Sequence, residues 1–226
     1  MDIENRILTT ADLKLLEDYK IKNNFTERYC HPHPMWEDID IYGKWLSTII
    51  IFNKIKQSGM KVCDLGSGDS PIPHIISDQG YEVDAIDIKD CNSPYQSLAV
   101  MVFRNAFEYL KEYDYNSIDV FTDVCAAIHF DCYGGNKQTP NKGLRNIFES
   151  IYKVLKPGGY FICCSDISLT NDHLIGEWVN PYDIIRMAEE SGLALTSEYK
   201  YNIDDAWVRI EQNHVGVSNF LFTKKI

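Results

Sequence analysis

One short segment, residues 62–73, constrains the fold of this chain more than any other. It reads VCDLGSGDSPIP, so that Gly66 and Gly68 directly follow an apolar run. The β-branched and apolar residues at 61–65 are typical of a buried strand. Glycine permits a tight turn and lets backbone N–H groups come close to a ligand. The segment therefore predicts a strand that ends in a ligand-binding turn at the edge of an α/β sheet.

Strand patterns alternate with helix patterns in the rest of the chain after this turn. A helix at 71–79, stopped by Gly80, and a strand at 81–88 would complete a βαβ unit. Further strands are predicted at 99–103, 118–125, 160–165, 195–201 and 217–224, and further helices at 141–155 and 181–191. Strands that alternate with helices favour an α/β fold with a doubly wound sheet and helices on both faces.

The first 58 residues follow a different pattern. Residues 10–20 combine a capping threonine, early acidic residues and apolar residues at helical spacing, and residues 36–56 carry a broad apolar face. Both segments therefore predict helices. Because these helices are too short to build a core of their own, we expect a single domain with an N-terminal helical cap at 1–58 on an α/β core at 59–226.

Composition limits the partners and the compartment. The chain has 33 acidic and 22 basic residues, a net charge of −11, which would repel a phosphate backbone, so we expect no nucleic-acid partner. The seven cysteines include no CxxC pair, the N-terminus lacks a signal-peptide pattern, and no apolar run is long enough for a membrane span. We expect a cytoplasmic protein with reduced thiols and no membrane association, and the sequence indicates no oligomeric state.

The residues around the glycine turn argue against a phosphate ligand. A dinucleotide fingerprint needs a third glycine where this chain has Pro71, and a P-loop needs a Gly-Lys-Ser/Thr ending that is absent. Asp64, at the end of the first core strand, would repel a pyrophosphate but attract an ammonium or sulfonium group. Asp87, at the end of the next strand, can accept hydrogen bonds from both hydroxyls of a ribose. Together the two carboxylates predict a nucleoside that carries a cationic amino-acid tail.

At these residues the chain resembles the class I S-adenosylmethionine-dependent methyltransferases, from about Lys61 to its C-terminus. The matching segments are each weak alone but occur in the family's order and spacing. They are VCDLGSG at 62–68, RNAF at 104–107, DVFTDVCAAIHF at 119–130 and LKPGGYF at 155–161. The resemblance implies a Rossmann-like, mostly parallel seven-stranded sheet that ends in an antiparallel hairpin formed by residues 195–201 and 217–224. It also implies methyl transfer with S-adenosyl-L-methionine as the cofactor.

For the methyl donor, the resemblance implies contacts at the ends of successive strands. The methionine end would meet Asp64 and the turn at 66–68, the ribose would meet Asp87, and the adenine would lie against Ile88 with its amino edge bonded to Asn105. Either Asp123 or Cys125 would lie near the transferred methyl group. The predicted donor-binding residues are Asp64, Gly66, Ser67, Gly68, Asp87, Ile88, Asn105, Ala106, Asp123 and Cys125. The chain departs from the family at Ser70, where a third small residue is usual, and at Ile128, where an acid often precedes the histidine.

The catalytic residues are less constrained by the sequence. In-line methyl transfer depends on alignment, and a general base is needed only when the acceptor must lose a proton. His129 is our preferred base for a hydroxyl acceptor, with Asp131 in the same turn and His173 after the fifth core strand as further candidates. A histidine that only packs against or caps the turn is an equal alternative for His129.

Aromatic residues are the candidates for binding the acceptor. They are Trp36 and Tyr42 on the second N-terminal helix and Tyr133 after the fourth core strand. The two helical rings can equally well pack that helix onto the sheet. His31 and His33 could ligate a metal, but two histidines in a proline-rich loop more often face a pocket or solvent, so we expect no metal site.

These observations predict a methyltransferase for a small-molecule or glycan-like acceptor, with oxygen as the preferred target. One alternative is an N-methyltransferase that acts on a small molecule or a protein side chain. A second is a non-catalytic donor-binding module of the same fold. A third, a nicotinamide oxidoreductase, would bind NAD and not S-adenosylmethionine.

Overall fold

The computed structural model describes residues 3–29, 38–90, 95, 97–130, 140–169, 174–175, 178–204, 206–207 and 215–225. Its strands are β1 (Arg6–Ile7), β2 (Lys61–Leu65), β3 (Glu82–Asp87), β4 (Val100–Phe103), β5 (Ile118–Val124), β6 (Leu155–Ser168), β7 (Leu174–Ile175), β8 (Trp178–Val179), β9 (Leu193–Leu195) and β10 (Val215–Lys224). Its helices are α1 (Thr10–Lys22), α2 (Phe25–Tyr29), α3 (Ile39–Ile55), α4 (Ile72–Ser77), α5 (Ala106–Leu110), α6 (Pro140–Val154) and α7 (Pro181–Glu190). None of the helices in these ranges is long and apolar enough to cross a membrane.

One sheet runs through the described part of the chain, with its main strands in the order β1-β10-β6-β5-β2-β3-β4. Neighbouring strands from β6 to β4 are parallel, whereas β10 is antiparallel to β6. The chain runs outward from β2 to β4 and then returns to β5 on the other side of β2. The strand order therefore reverses between β2 and β5, and open α/β sheets bind ligands at the carboxyl ends of the strands at such a point.

The sheet is covered on both faces. Successive side chains of the inner strands belong to different apolar clusters. On β2, Val62 belongs to the cluster that contains residues of α1, α3 and α4, whereas Cys63 belongs to the one that contains residues of α6 and α7. Val120 and Phe121 on β5 divide in the same way. Strands buried on both faces explain the nearly continuous apolar runs in the sequence. The predicted α/β fold class, doubly wound and mostly parallel, is confirmed.

Most predicted elements lie within a few residues of their observed positions. The strand predicted at 61–65 has those bounds, and α1 begins at its predicted residue, although its cap is Thr9, which forms a reciprocal capping box with Asp12. β6 begins earlier than the predicted 160–165 because Leu155 already pairs with Ile118. The next pair joins Val120 to Tyr160, so the Pro-Gly-Gly segment bulges out within the strand instead of preceding it.

The N-terminal segment is more than a helical cap, because β1 joins the sheet. Arg6 pairs with Asn219 on the outer edge of β10, and the backbone N–H of Lys200 donates to the Asn5 carbonyl. This edge is where residues 195–201 were predicted to form the hairpin strand. That prediction is wrong in position: the hairpin strand is β9, and it pairs with β10 only from Leu193 to Leu195 because β1 holds the next part of the edge.

Asn5, directly before β1, is bonded to β10 and to the residues that follow β9. It is fully buried, its amide donates to the hydroxyls of Thr196 and Ser197 at 3.0 Å, and its side-chain oxygen accepts from Leu221 N at 2.7 Å. We expect Asn5→Ala to lower the free energy of unfolding by about 3 kcal/mol, measured by chemical denaturation, because it leaves buried polar groups unpaired and strains a positive φ.

Asn24→Ala is the matched control. Asn24 has a φ of 53°, close to the 51° of Asn5, but its side chain is exposed. Asn24→Ala should therefore lower the free energy of unfolding by only about 1 kcal/mol, from backbone strain. Equal losses in the two variants would show that the buried hydrogen bonds of Asn5 do not secure β1.

Candidate active site

The turn after β2 closely approaches the turn after β5. Gly66 and Gly68 have φ values of +62° and +52°, in the left-handed region. A Cβ on Gly66 would lie 2.2 Å from the Ala126 Cβ, far inside van der Waals contact. Gly68 N donates to the Asp87 carboxylate at 2.8 Å, which fastens the turn to the end of β3. Glycine is thus required at 66 both by its backbone angle and by its neighbour.

Two cavities open at the carboxyl ends of the parallel strands and share Gly66, Val124 and Cys125. The larger has a volume of about 370 Å³, and its wall includes Asp87, Ile88, Asn105, Ala106, Phe107 and His129. The smaller has a volume of about 210 Å³, and its wall includes Lys44, Trp45, Asp64, Ser67, Gly68 and Ser70. All the predicted donor-binding residues except Asp123 therefore line one or both of two adjoining spaces.

The larger cavity combines one carboxylate with an apolar wall. The two oxygens of Asp87 accept from Gly68 N at 2.8 Å and Lys89 N at 3.0 Å, which fixes the carboxylate and leaves further lone pairs for a ligand. Ile88 is 58% exposed, and the Phe107 ring lines the same space. A fixed acceptor beside exposed apolar surface suits a ribose with an attached base.

Asn105 and His129 both line this larger cavity, but the first is already engaged. The Asn105 side-chain oxygen caps α5 by accepting from Phe107 N at 2.9 Å and Glu108 N at 3.4 Å. The predicted bond to an adenine amino group would need that oxygen, whereas the amide nitrogen of Asn105 can donate to a ring nitrogen. His129 lies in the turn Ala127–His129, in the wall of the larger cavity and not of the smaller one.

The smaller cavity contains a buried carboxylate. Asp64 is 2% exposed and accepts a hydrogen bond from the Thr122 hydroxyl. Burial raises the pKa of Asp64 to about 7, with the neighbouring carboxylates of Asp123 and Asp87 acting in the same direction and the hydrogen bond from Thr122 acting against them. An acid in this state is readily ionised by a cationic ligand.

The same cavity contains two hydrogen-bond donors. Lys44 on α3 is 7% exposed, with Nζ 3.0 Å from Asp166 Oδ1 at the end of β6. Burial would lower the pKa of Lys44, but Cys125, where its thiol is ionised at high pH, and the Asp166 carboxylate outweigh burial and raise that pKa above its ordinary value. Ser67 is 2% exposed, and its hydroxyl has no hydrogen-bond partner among the described residues.

Lys44 was not predicted from the sequence. The signal was present: it is a cation within the segment IYGKWLSTIIIF, whose other residues are apolar or uncharged. A lysine among apolar residues of a helix is seldom buried without a partner. The sequence alone could not identify that partner, because Asp166 lies 122 residues away.

Solved structures with the same architecture are known, although no protein-family model and no curated protein matches the chain. A putative sarcosine dimethylglycine methyltransferase from Galdieria sulphuraria superposes with a TM-score of 0.60 at 16% identity, over 84% of this chain and 88% of its own. The geranyl diphosphate C-methyltransferase from Streptomyces coelicolor A3(2), solved with S-adenosyl-L-homocysteine, gives 0.60 at 9% identity over 85% of both chains. Phosphoethanolamine N-methyltransferase 2 from Haemonchus contortus gives 0.57 at 15% identity over 80% of this chain. This chain spans only 53% of the Haemonchus protein.

The chain has the fold of the class I methyltransferases. In this methyltransferase fold the junction of the two cavities is formed by Cys125, which follows β5 and has a φ of 57°. Burial raises the pKa of the Cys125 thiol to about 11, so the thiol is neutral at the junction. Asp123 lines neither cavity: its carboxylate is buried beneath the turn and accepts from Ala127 N at 2.8 Å. Of the two residues predicted near the transferred methyl, only Cys125 borders the cavities.

The predicted acceptor-binding residue Tyr42 lines neither cavity. Its ring is buried, its hydroxyl donates to Glu17 on α1, and Lys20 Nζ lies 3.9 Å from the ring centroid. Trp45, one helical turn further along α3, lines the smaller cavity instead.

Several other predicted residues lie outside the described part of the chain. They are Trp36, Asp131, Tyr133 and His173, together with His31 and His33 of the considered metal site. Among the residues that the structure describes, no group of three or more side chains is placed to hold a metal ion.

Asp64 should weaken the folded state at neutral pH. Its pKa is raised from 3.8 to about 7 in the folded protein, so its contribution to stability is lost as pH rises from about 4 through 7. We expect Asp64→Asn without ligand to match the wild type at pH 4 and to exceed its free energy of unfolding at pH 8 by about 2–4 kcal/mol. Denaturation curves across this pH range measure the difference.

Asp18→Asn is the control for this pH series. Asp18 is exposed on α1, so this variant should follow the wild type at every pH. A wild type that is more stable than Asp64→Asn at pH 8 would mean that Asp64 is an ordinary stabilising carboxylate.

Proposed function

We propose that this protein is an S-adenosylmethionine-dependent methyltransferase that acts on a small-molecule acceptor, with an oxygen atom as the preferred target. One observation carries the proposal. Two cavities join at Gly66 and Cys125, and they differ in chemistry: one offers a fixed carboxylate and apolar surface, the other a buried acid and a buried cation. S-adenosylmethionine has the same division, because an adenosine and a zwitterionic amino acid meet at its sulfur.

The residues present fit this donor better than a dinucleotide. A nicotinamide cofactor would place its pyrophosphate at the first glycine turn. Here that turn borders the buried Asp64, and ionising Asp64 beside a pyrophosphate would add repulsion between like charges. The hydroxyl of Ser67, which has no partner among the described residues, can donate to a ligand in the smaller cavity, and the positive φ values of Gly66 and Gly68 let the backbone come close to it.

The donor, when bound, supplies an electrophilic methyl group on a sulfonium. The chain's own residues would do the rest by orientation. Asp64, once ionised, accepts from an ammonium group, and Asp87 accepts from the ribose hydroxyls. The neutral Cys125 and Val124 border the junction with little competing charge, which preserves the sulfonium's electrophilic character. Alignment of this kind accounts for much of the catalysis in methyl transfer.

The acceptor atom depends on the role of His129. His129 lines the larger cavity together with the junction residue Cys125, and as a general base it would serve a hydroxyl acceptor. A neutral amine needs no base in the same reaction, and an enzyme named for a nitrogen acceptor and one named for a carbon acceptor share this fold. Loss of turnover in His129→Gln with hydroxyl acceptors, but not with amine acceptors, would support the oxygen proposal. Unchanged turnover with both would overturn it.

Donor binding tests the proposal directly. S-adenosylhomocysteine should bind the wild type in calorimetry, and Asp87→Asn should weaken its affinity about 10- to 100-fold, because a hydrogen bond to a charged acceptor is lost. Asp90→Asn changes an exposed acid three residues away and should have no effect.

Two outcomes would contradict the proposal. NAD binding without S-adenosylhomocysteine binding would favour an oxidoreductase. Tight S-adenosylhomocysteine binding with no methylated product across hydroxyl, amine and carbon acceptors would favour a donor-binding module without catalysis.

A further inference from the structure

Lys44, which lines the smaller cavity, belongs to a buried ion pair. Lys44 lies in the first half of α3, Asp166 lies near the end of β6, and both are less than 10% exposed. The Nζ of Lys44 is 3.0 Å from Asp166 Oδ1. Because removing two charges from water offsets much of their attraction, a buried pair of this kind is weak evidence for a role in stability. The position of Lys44 in the wall of the cavity favours a role in binding.

The ammonium of Lys44 has capacity for a ligand. It carries three N–H groups, and within the described part of the chain its nitrogen makes one hydrogen bond, to Asp166. Two N–H groups are therefore available in a residue that lines the cavity. The Lys44 pKa lies above its ordinary value, so this group stays charged at neutral pH.

Ser67 supplies a second, independent observation. Its side chain is almost fully buried, it lines the same cavity, and its hydroxyl has no partner among the described residues. Buried polar groups are normally paired, so an unpaired hydroxyl in a cavity wall marks a place where a ligand supplies the partner. Lys44 and Ser67 together offer donors, one of them charged, and Asp64 offers an acceptor.

We propose that Lys44 and Ser67 bind the α-carboxylate of the donor's amino-acid end, while Asp64 binds its ammonium group. This assignment rests on the proposed function. It makes Lys44 the residue that selects nucleosides with a complete amino acid over those that lack the carboxylate. Asp166 is the countercharge of Lys44 within the protein.

The test uses three ligands that differ stepwise at the amino-acid end. They are S-adenosylhomocysteine, its decarboxylated analogue, which keeps the amine, and 5′-methylthioadenosine, which lacks both groups. Calorimetry with the wild type should show the tightest binding for S-adenosylhomocysteine. Lys44→Met should lower the affinity for S-adenosylhomocysteine alone by about 10- to 100-fold, the range for one hydrogen bond to a charged group. The affinities for the other two ligands should stay within about threefold of the wild type.

Two further variants separate binding from folding. Lys44→Met leaves Asp166 buried without its cation, which can destabilise the fold, so the double variant Lys44→Met, Asp166→Asn removes both charges and should show the same ligand pattern. Lys54→Met is the matched control on α3: Lys54 pairs with Glu4 at 2.5 Å and lines neither cavity, so all three affinities should stay unchanged.

The hydroxyl of Ser67 has a matched control of its own. Ser67→Ala should lower the affinity for S-adenosylhomocysteine about three- to tenfold, as expected for the loss of an uncharged donor. It should leave the affinities for the other two ligands unchanged. Ser47 on α3 is also a buried hydroxyl without a partner among the described residues, but it lines neither cavity. Ser47→Ala should leave all three affinities unchanged.

The outcomes separate this inference from the proposed function. A wild type that binds none of the three ligands overturns the proposed function and the inference with it. A wild type that binds S-adenosylhomocysteine and its decarboxylated analogue equally well overturns the inference alone, without reference to any variant. The inference also fails if the Lys44 variants lose affinity by the same factor for all three ligands, or lose no affinity for S-adenosylhomocysteine.

Discussion

Asp64 is an acid held at the end of the inner strand β2, almost out of contact with water, with the hydroxyl of Thr122 as its hydrogen-bond donor. Its burial raises the pKa to about 7, so the ionised form is costly in the folded protein. An apolar residue would stabilise the sheet better at this position. A ligand that places a cationic group beside Asp64 would account for this buried acid. It would also account for the neighbouring glycine turn, the lysine on α3 and the shape of the smaller cavity.

The topology of the sheet places that acid where a ligand can reach it. Reversal of the strand order between β2 and β5 separates the connections that follow these strands, and the two cavities form in the space between them. The close approach of Gly66 to Ala126 brings the two turns together and divides this space into two parts. A larger residue at 66 would alter both parts, so the two cavities depend on one backbone position.

Much of the fold and part of the site could be predicted from local sequence. The strand at 61–65, the glycine turn and the acids at 64 and 87 carry their own signals, and the parallel sheet brings their carboxyl ends together. What failed depends on long-range packing. β1 has two residues and acquires its structure from β10, and the direction of the Tyr42 ring is set by Glu17 on α1. The role of Lys44 could not be predicted, because its partner Asp166 and the cavity that it shares with Asp64 are visible only in the folded structure.

If the ammonium group of a ligand ionises Asp64, binding must release a proton from that carboxyl group. Calorimetry of S-adenosylhomocysteine at pH 6.5, repeated in buffers of different ionisation enthalpy, gives the number of protons exchanged. With a pKa of about 7, Asp64 should release between about half a proton and one proton, and Asp64→Asn should lose this release. Binding without proton release in the wild type, or the same release in Asp64→Asn, would contradict the account.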